Sequence, residues 1–288
     1  MIRLLSILIG LGFTVVVMWA FMVGAYTAAT EGLGEETVEH AFHKESHEPD
    51  GGFSFSGPLG KFDNKQLQRG FQVYQQVCSS CHGLKFVAIR DLEQLGYNGA
   101  EVKAIAASMQ VPGINPDTGE STLVAGKPTD YFPSPYESTV QAALANNNAV
   151  PPDLSLITKA RPNGSAYVYS LLTGYRDEVP AEITATFPDF EKPEGLHFNQ
   201  YFPNLNIAMA PPLTMDGQIT YGEGNPEATK EQMATDVAAF LTWTAEPSMV
   251  KRKQTGWWVV LFLIFATFLA YLSKKQIWSN AKPKKRED

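Results

Sequence analysis

The sequence predicts a mainly α-helical domain with an apolar helix at each end. Three observations point there. Leu4 to Ala29 carries no charged residue in 26 positions, and Thr255 to Ser273 carries none in 19. As helix the second run is about 28 Å long, enough to cross a hydrocarbon core. Between the two runs, apolar residues recur at helical spacing and convincing strands are few. With 288 residues in the chain, the intervening part is long enough to bury a core.

The first 30 residues read as a signal peptide or signal anchor. Arg3 before an apolar stretch and Thr27-Ala28-Ala29 would suit a cleaved leader. The run exceeds the usual length of a signal core, so a retained transmembrane helix is expected. Residues 31–60 read as an acidic linker or extended arm. His40, His43 and His47 could share one helical face there, but solvated polar residues explain them better than a metal site.

A folded domain is expected over residues 61–250. Its first helix runs from Asn64 to Val77, capped by Asp63 or Asn64. Leu67, Phe71, Tyr74 and Cys78 fall on one face. Gly70 within this helix costs about 1 kcal/mol of propensity relative to alanine, which a close helix crossing would explain. Phe86 to Leu95 and Gly99 to Met109 read as helices. Val111 to Tyr136, with Pro112-Gly113, Asn115-Pro116 and Asp117-Thr118-Gly119, reads as a long loop. Helical pieces follow over Tyr136 to Ala145, after Pro151-Pro152-Asp153-Leu154, and over Ala166 to Leu172. Thr173 to Asn204 is irregular, with room for a short hairpin. The last soluble helix spans Ala228 to Thr244, with Thr229 and Gln232 at capping-box spacing.

The second span, over residues 251–273, opens with Trp257 and Trp258 and is followed by Trp278, as interfacial anchors would be. A basic tail, 274–288, carries Lys274, Lys275, Lys282, Lys284, Lys285 and Arg286. By the positive-inside rule that tail is cytoplasmic. Lys251-Arg252-Lys253 pulls the other way with half as many charges. With Arg3 inside as well, the middle of the chain is expected outside.

The net charge of −7 hides an asymmetry. Residues 1–250 hold 28 acidic and 14 basic side chains, and the remainder holds two acidic and nine basic ones. So acidic a domain is a poor partner for nucleic acid and suits a basic protein.

The chemistry lies in Cys78-Ser79-Ser80-Cys81-His82, which contains the chain's only two cysteines. C-x-x-C-H reads as covalent attachment of one haem c. Two thiols a helical turn apart can reach two porphyrin vinyl groups, and His82 can turn to the iron. A structural zinc site would need four ligands, and no further cysteine exists. A redox dithiol belongs at a helix start after a strand, whereas the preceding sequence is helical.

For the second axial position the residues offer Met109, Met209, Met215, Met233, Met249 and His197. Met209 stands in Ile207-Ala208-Met209-Ala210-Pro211-Pro212, an apolar loop stiffened by two prolines. The residues alone leave it level with an ordinary core methionine.

Gly70, Tyr74, Cys78, Cys81 and His82 resemble the first-helix pattern of class I c-type cytochromes. Met209 lies 131 positions after Cys78, unlike the compact members. Arg69-Gly70-Phe71-Gln72-Val73-Tyr74, Asp130-Tyr131-Phe132-Pro133, Pro151-Pro152-Asp153-Leu154-Ser155, Ser170-Leu171-Leu172-Thr173-Gly174-Tyr175 and Met209-Ala210-Pro211-Pro212 together resemble the cytochrome c1 family, over about residues 52 to 280. The resemblance implies a class I cytochrome-like haem domain with long loop insertions. It implies haem on Cys78 and Cys81, axial ligation by His82 and Met209, and Arg161 against a propionate. Pro151, Pro152 and Tyr167 would line the pocket. It implies a one-electron carrier of a dimeric cytochrome bc1 complex in a bacterial inner membrane, with its haem domain in the periplasm. Electrons would come from a Rieske iron–sulfur protein and leave to a cytochrome c. Bond chemistry would belong to the neighbouring cytochrome b. Many relatives have a cleaved leader and a single anchor, whereas the first segment here reads as retained. The alternative is a stand-alone anchored carrier feeding an oxidase.

Overall fold

A computed structural model describes residues 2–30 and 37–279. Glu31, Glu35 and Glu36 of the acidic linker, and Lys282, Lys284, Lys285 and Arg286 of the basic tail, lie outside the described residues.

Helix α1 (Ile2–Thr30) carries no charge after Arg3, and none of its described side chains is buried. Such a helix is at home in lipid rather than water, and it is a candidate membrane span. The short helix α2 (Val38–Phe42) starts on Thr37, whose hydroxyl accepts from the His40 amide at 3.3 Å. The three histidines do not share a helical face. Only His40 lies in α2. His43 Nε2 meets the Tyr201 carbonyl at 3.3 Å, and the His47 ring stands edge-on to Tyr169 and Tyr201. This arm is packed down, not free: Lys44 N donates to Gln200 O at 2.8 Å, and His47 N donates to Ser170 Oγ at 2.9 Å. Val38 and Phe42 cover a small core of Ile183, Phe198 and Leu205.

Helix α3 (Asn64–Val73) begins where expected, with Asp63 Oδ1 accepting from Lys65 N at 3.0 Å. It continues into a π-helical turn, Tyr74–Cys78, one residue past the predicted end. Such widened turns occur often at functional sites. Leu67, Phe71 and Tyr74 are buried, as their spacing predicts, and Cys78 is half-buried. A 3-10 helix, Ile89–Leu95, occupies the second half of the predicted Phe86–Leu95 piece. Helix α4 (Gly99–Ser108) follows, capped by Asn98 and Glu101 in a reciprocal box.

The expected long loop after Val111 is instead an antiparallel hairpin. Strand β1 (Gln110–Ile114) pairs with β2 (Ser121–Ala125), with Val111 opposite Val124. Pro112 and Gly113 concealed it, since both argue against a strand interior. Only Val111 of the ten paired residues is buried, so no alternation of apolar and polar residues marks the hairpin.

Helices α5 (Thr139–Ala145), α6 (Ile157–Ala160) and α7 (Gly164–Thr173) correspond to the three short helical pieces. The irregular stretch contains β3 (Tyr175–Arg176), α8 (Ala181–Thr186) and β4 (His197–Asn199), and β5 (Asn206–Ile207) follows just after it. The strands form one small antiparallel sheet in the order β3-β4-β5. Helix α9 (Lys230–Ala245) starts on Thr229, whose hydroxyl accepts from Gln232 N at 3.1 Å. Only half of the predicted box forms, because the Gln232 amide turns to Asp236 Oδ1 at 2.9 Å.

The core sits where α3 crosses α9. A Cβ at Gly70 would lie 2.0 Å from the Asp236 carbonyl oxygen, so the close approach excludes any side chain. Rings of Phe71, Tyr74, Phe132 and Phe240 fill the crossing, with centroids 5.6–6.1 Å apart. Helix α7 covers a further side of α9. Val237, Phe240, Leu241 and Trp243 are buried as predicted, and so are the polar Asp236, Thr242 and Thr244 of the same helix.

Helix α10 (Met249–Ile277) begins two residues before the expected span, and nearly all of it is exposed. It is the second candidate membrane span. Two of the three basic residues that opposed the charge rule hold the domain to this helix. Lys253 Nζ donates to the Phe55 and Gly57 carbonyls at 2.7 Å each, and Arg252 pairs with Glu246.

Candidate functional site: a cavity closed by the C-x-x-C-H turn

One cavity of about 850 Å³ opens between the π turn, the segment 145–154, α7, α9 and the loop after β5. That size is within the usual range for cofactor sites, about 300–1,000 Å³. Cys78, Cys81, His82, Pro151, Pro152, Arg161, Tyr167 and Met209 all line it. The structure therefore brings together every site residue singled out in the sequence. Its walls are largely apolar, with Val168, Leu171, Val237 and Leu241 among them.

Five hydrogen bonds fix the turn carrying His82 and the residues just after it. Tyr74 donates its hydroxyl to the His82 carbonyl at 2.8 Å. The His82 Nδ1–H donates to the Pro152 carbonyl at 2.7 Å. That bond leaves Nε2 as the ring nitrogen able to bind a metal. Burial holds the imidazole below its ordinary range, against the opposing pull of the Pro152 carbonyl and Asp153. It is thus kept neutral, as a ligand must be. The segment 151–155 is then stitched to the turn. Leu154 N donates to Gly83 O, Lys85 N to Asp153 Oδ2 and Phe86 N to Ser155 Oγ, at 2.9, 2.9 and 3.1 Å. The Pro-Pro-Asp-Leu-Ser block is a brace for His82, and Pro152 acts through its carbonyl as well as its ring.

Cys78 and Cys81 are unpaired thiols, and burial pushes the Cys78 thiol up to about 12.

The six contenders for the second axial position separate. Met233 and Met249 are buried in the main core, Met109 packs against it, and Met215 is exposed. Met209 and His197 line the cavity. Met209 follows β5, where Ile207 pairs with His197 of β4. Its carbonyl accepts from the Tyr175 hydroxyl at 3.1 Å. Burial raises the Tyr175 phenol well above its ordinary range, so it stays a donor.

Arg161 is exposed, with Nη1 donating to the Ala160 carbonyl at 3.1 Å. It also reaches Tyr167, whose phenol is raised by burial and lowered in part by that guanidinium. An arginine at the rim of an apolar cavity suits a carboxylate of a bound group.

The donor set fits a haem: two thiols a turn apart, one free imidazole nitrogen, a thioether, a rim guanidinium and apolar walls. Among the described residues no cluster of three or more His, Cys, Asp or Glu side chains offers a separate metal site. Sequence reading missed two residues. Tyr74 and Tyr175 were placed by helix spacing and by a shared block, and neither pattern reveals what a hydroxyl bonds.

Comparison with known proteins agrees with this geometry. Residues 53–281 match the model of the Cytochrome C1 family. The chain is 44% identical over 238 residues to cytochrome c1 of Rhodospirillum rubrum, covering 80% of this chain and 87% of that one. It is 46% identical over 230 residues to "Cytochrome c1-2, heme protein, mitochondrial" of Solanum tuberosum, covering 80% and 85%. A third relative, "Cytochrome b/c1" of Bradyrhizobium diazoefficiens, is 43% identical over 247 residues. Those residues are 81% of this chain and 36% of that longer protein, so the chain spans about a third of it. A cavity built on C-x-x-C-H, a match over most of the chain and relatives of this similarity place the protein in the cytochrome c1 family, the haem-bearing electron carriers of the cytochrome bc1 complex.

Proposed function

We propose that this chain relays single electrons from a Rieske iron–sulfur protein to a cytochrome c. The observation that carries the reading is the meeting of Cys78, Cys81, His82 and Met209 on one cavity. Cys78 and Cys81 would hold one haem by thioether bonds, and His82 Nε2 and Met209 Sδ would be its protein ligands. When bound, the haem supplies a one-electron iron couple whose potential a His/Met pair raises. The residues do the rest. Pro152 keeps His82 in the ligating tautomer, Tyr74 holds its backbone, and Arg161 neutralises a propionate. With His82 and Met209 both serving as ligands, no position would remain at the iron for a substrate.

Cytochrome b is the proposed neighbour in a dimeric complex, and quinol chemistry belongs to it. The name of the Bradyrhizobium relative joins b and c1, which supports that pairing. The haem domain faces the periplasm of a bacterial inner membrane, with both chain ends cytoplasmic. Lys274 and Lys275 at the end of α10 support that orientation.

The test is a reduced-minus-oxidised visible spectrum of the tagged protein drawn gently from its own membrane. Bands of c-type and b-type haem in constant ratio are expected. A c-type band alone, with the complex otherwise intact, would favour the stand-alone carrier.

A further inference from the structure

We infer that Tyr175 is a positioning residue for the Met209 ligand, clamping the loop that carries the thioether. The inference rests on Met209 being the axial ligand. Pro211 and Pro212 have no N–H, so the loop has little means of bonding to itself. Its ties lie elsewhere. Ile207 pairs with His197 before it, Gln218 Nε2 donates to the Pro212 carbonyl at 2.9 Å after it, and Tyr175 grips the Met209 carbonyl itself at 3.1 Å. Of these, the tyrosine bond is the only one at the ligand residue.

Tyr175 is itself built in. It pairs with Asn199 across β3 and β4, and the Asn199 side chain, fully buried, donates to the Leu171 carbonyl at 2.8 Å. The preceding Gly174 admits the Tyr201 ring, which would lie 2.3 Å from any Cβ there. Leu171 and Leu172 of α7 line the cavity. One continuous path therefore runs from the cavity wall through the sheet to the ligand's own backbone. A tyrosine wanted only for bulk would need no hydroxyl here. One that sets the ligand's position would use the bond the structure shows.

The test uses the full chain in its complex with haem bound. Imidazole, an external iron ligand, is titrated against Met209 and followed by visible absorption. Loss of a hydrogen bond is worth up to about tenfold in an equilibrium constant. Tyr175→Phe is expected to lower the imidazole concentration for half displacement about five- to tenfold. It should also weaken the sulfur-to-iron charge-transfer band. A fluorinated tyrosine at 175, a stronger donor, should shift the titration the other way. Ile183→Val, which trims the adjoining core, should leave it unchanged. If neither change at 175 moves the titration, while Met209→Leu abolishes the band, the role of Tyr175 is overturned and the ligand stands. If Met209→Leu also leaves band and titration as they were, the ligand assignment falls first.

Discussion

Arg69 grips Asp236 with two hydrogen bonds, Nε to Oδ2 at 2.8 Å and Nη2 to Oδ1 at 3.0 Å. The carboxylate is wholly buried and the guanidinium nearly so. Asn225 and the Tyr221 ring share the guanidinium, and Gln232 shares the carboxylate. The pair locks α3 to α9 beside the glycine that lets them touch. Removing one partner strands a buried charge, so Arg69→Met should cost about 3–5 kcal/mol of stability. The double change Arg69→Met with Asp236→Leu should cost clearly less, because neither charge is left alone. Denaturant midpoints of the two variants give the comparison, and equal losses would argue against a stranded charge.

Gly70→Ala meets the Asp236 carbonyl oxygen directly, and backbone on both sides of the contact leaves no flexible side chain to yield. We expect a loss of about 3 kcal/mol, at the upper end of overpacking effects. In an open helix the same change would instead stabilise by about 1 kcal/mol. Thermal unfolding therefore reads out the sign of the effect as well as its size.

Met209→Leu should retain the haem, since Cys78 and Cys81 are untouched, but lower its potential and stall electron transfer. His197→Ala should leave the potential near that of the parent. The reverse pattern in a redox titration would transfer the axial role to His197, the other contender lining the cavity.

Glu246 carries the clearest acid-side signature. Its hydrogen bond with Arg252 holds the carboxyl below the ordinary glutamate range against the opposing effect of burial, and Lys159 Nζ at 3.0 Å adds to the lowering. A depressed carboxyl stabilises the fold above its unfolded value, and the contribution disappears as pH falls through the folded value. Glu246→Gln should lower the unfolding midpoint slightly near pH 6, and the gap should close on acidification below the glutamate range. Exposed partners keep the effect small. A gap that widened in acid would contradict the pairing.

The acidic balance before residue 251 predicts that a basic cytochrome c reacts more slowly as salt rises. Stopped-flow reduction over a range of ionic strength measures this. A flat response would remove the electrostatic docking surface.

The local signals in this chain were legible because each depends on neighbours in sequence. The Leu67–Phe71–Tyr74 face, the caps at Asp63 and Thr229, the apolar ends and Cys78 to His82 are all of that kind. Gly70 was legible as a helix crossing because no local reason for it exists. The hairpin at 110–125 was not, since Pro112 and Gly113 carry loop signals and its strands bury almost nothing. The packed arm around His47 was missed for a similar reason. Its contacts are to Ser170 and Tyr201, more than 120 residues away. Spacing alone left Met209 undecided and the family resemblance implied it; the fold sets it on the cavity, with Met233 and Met249 in the core. The tyrosine clamps were illegible because a hydroxyl's partner is set by three-dimensional neighbours.

The contact of α3 with α9 also bears on timing. Arg69 and Asp236 are 167 positions apart. At about 5–20 residues per second, synthesis of that interval takes on the order of ten seconds or more. Until α9 exists, α3 lacks its main packing surface, and the cavity beside Cys78 and Cys81 lacks the wall that Val237 and Leu241 supply. Any enzyme that must reach both sulfurs has that interval in which to act, and the last soluble helix ends it just before the final membrane helix is made.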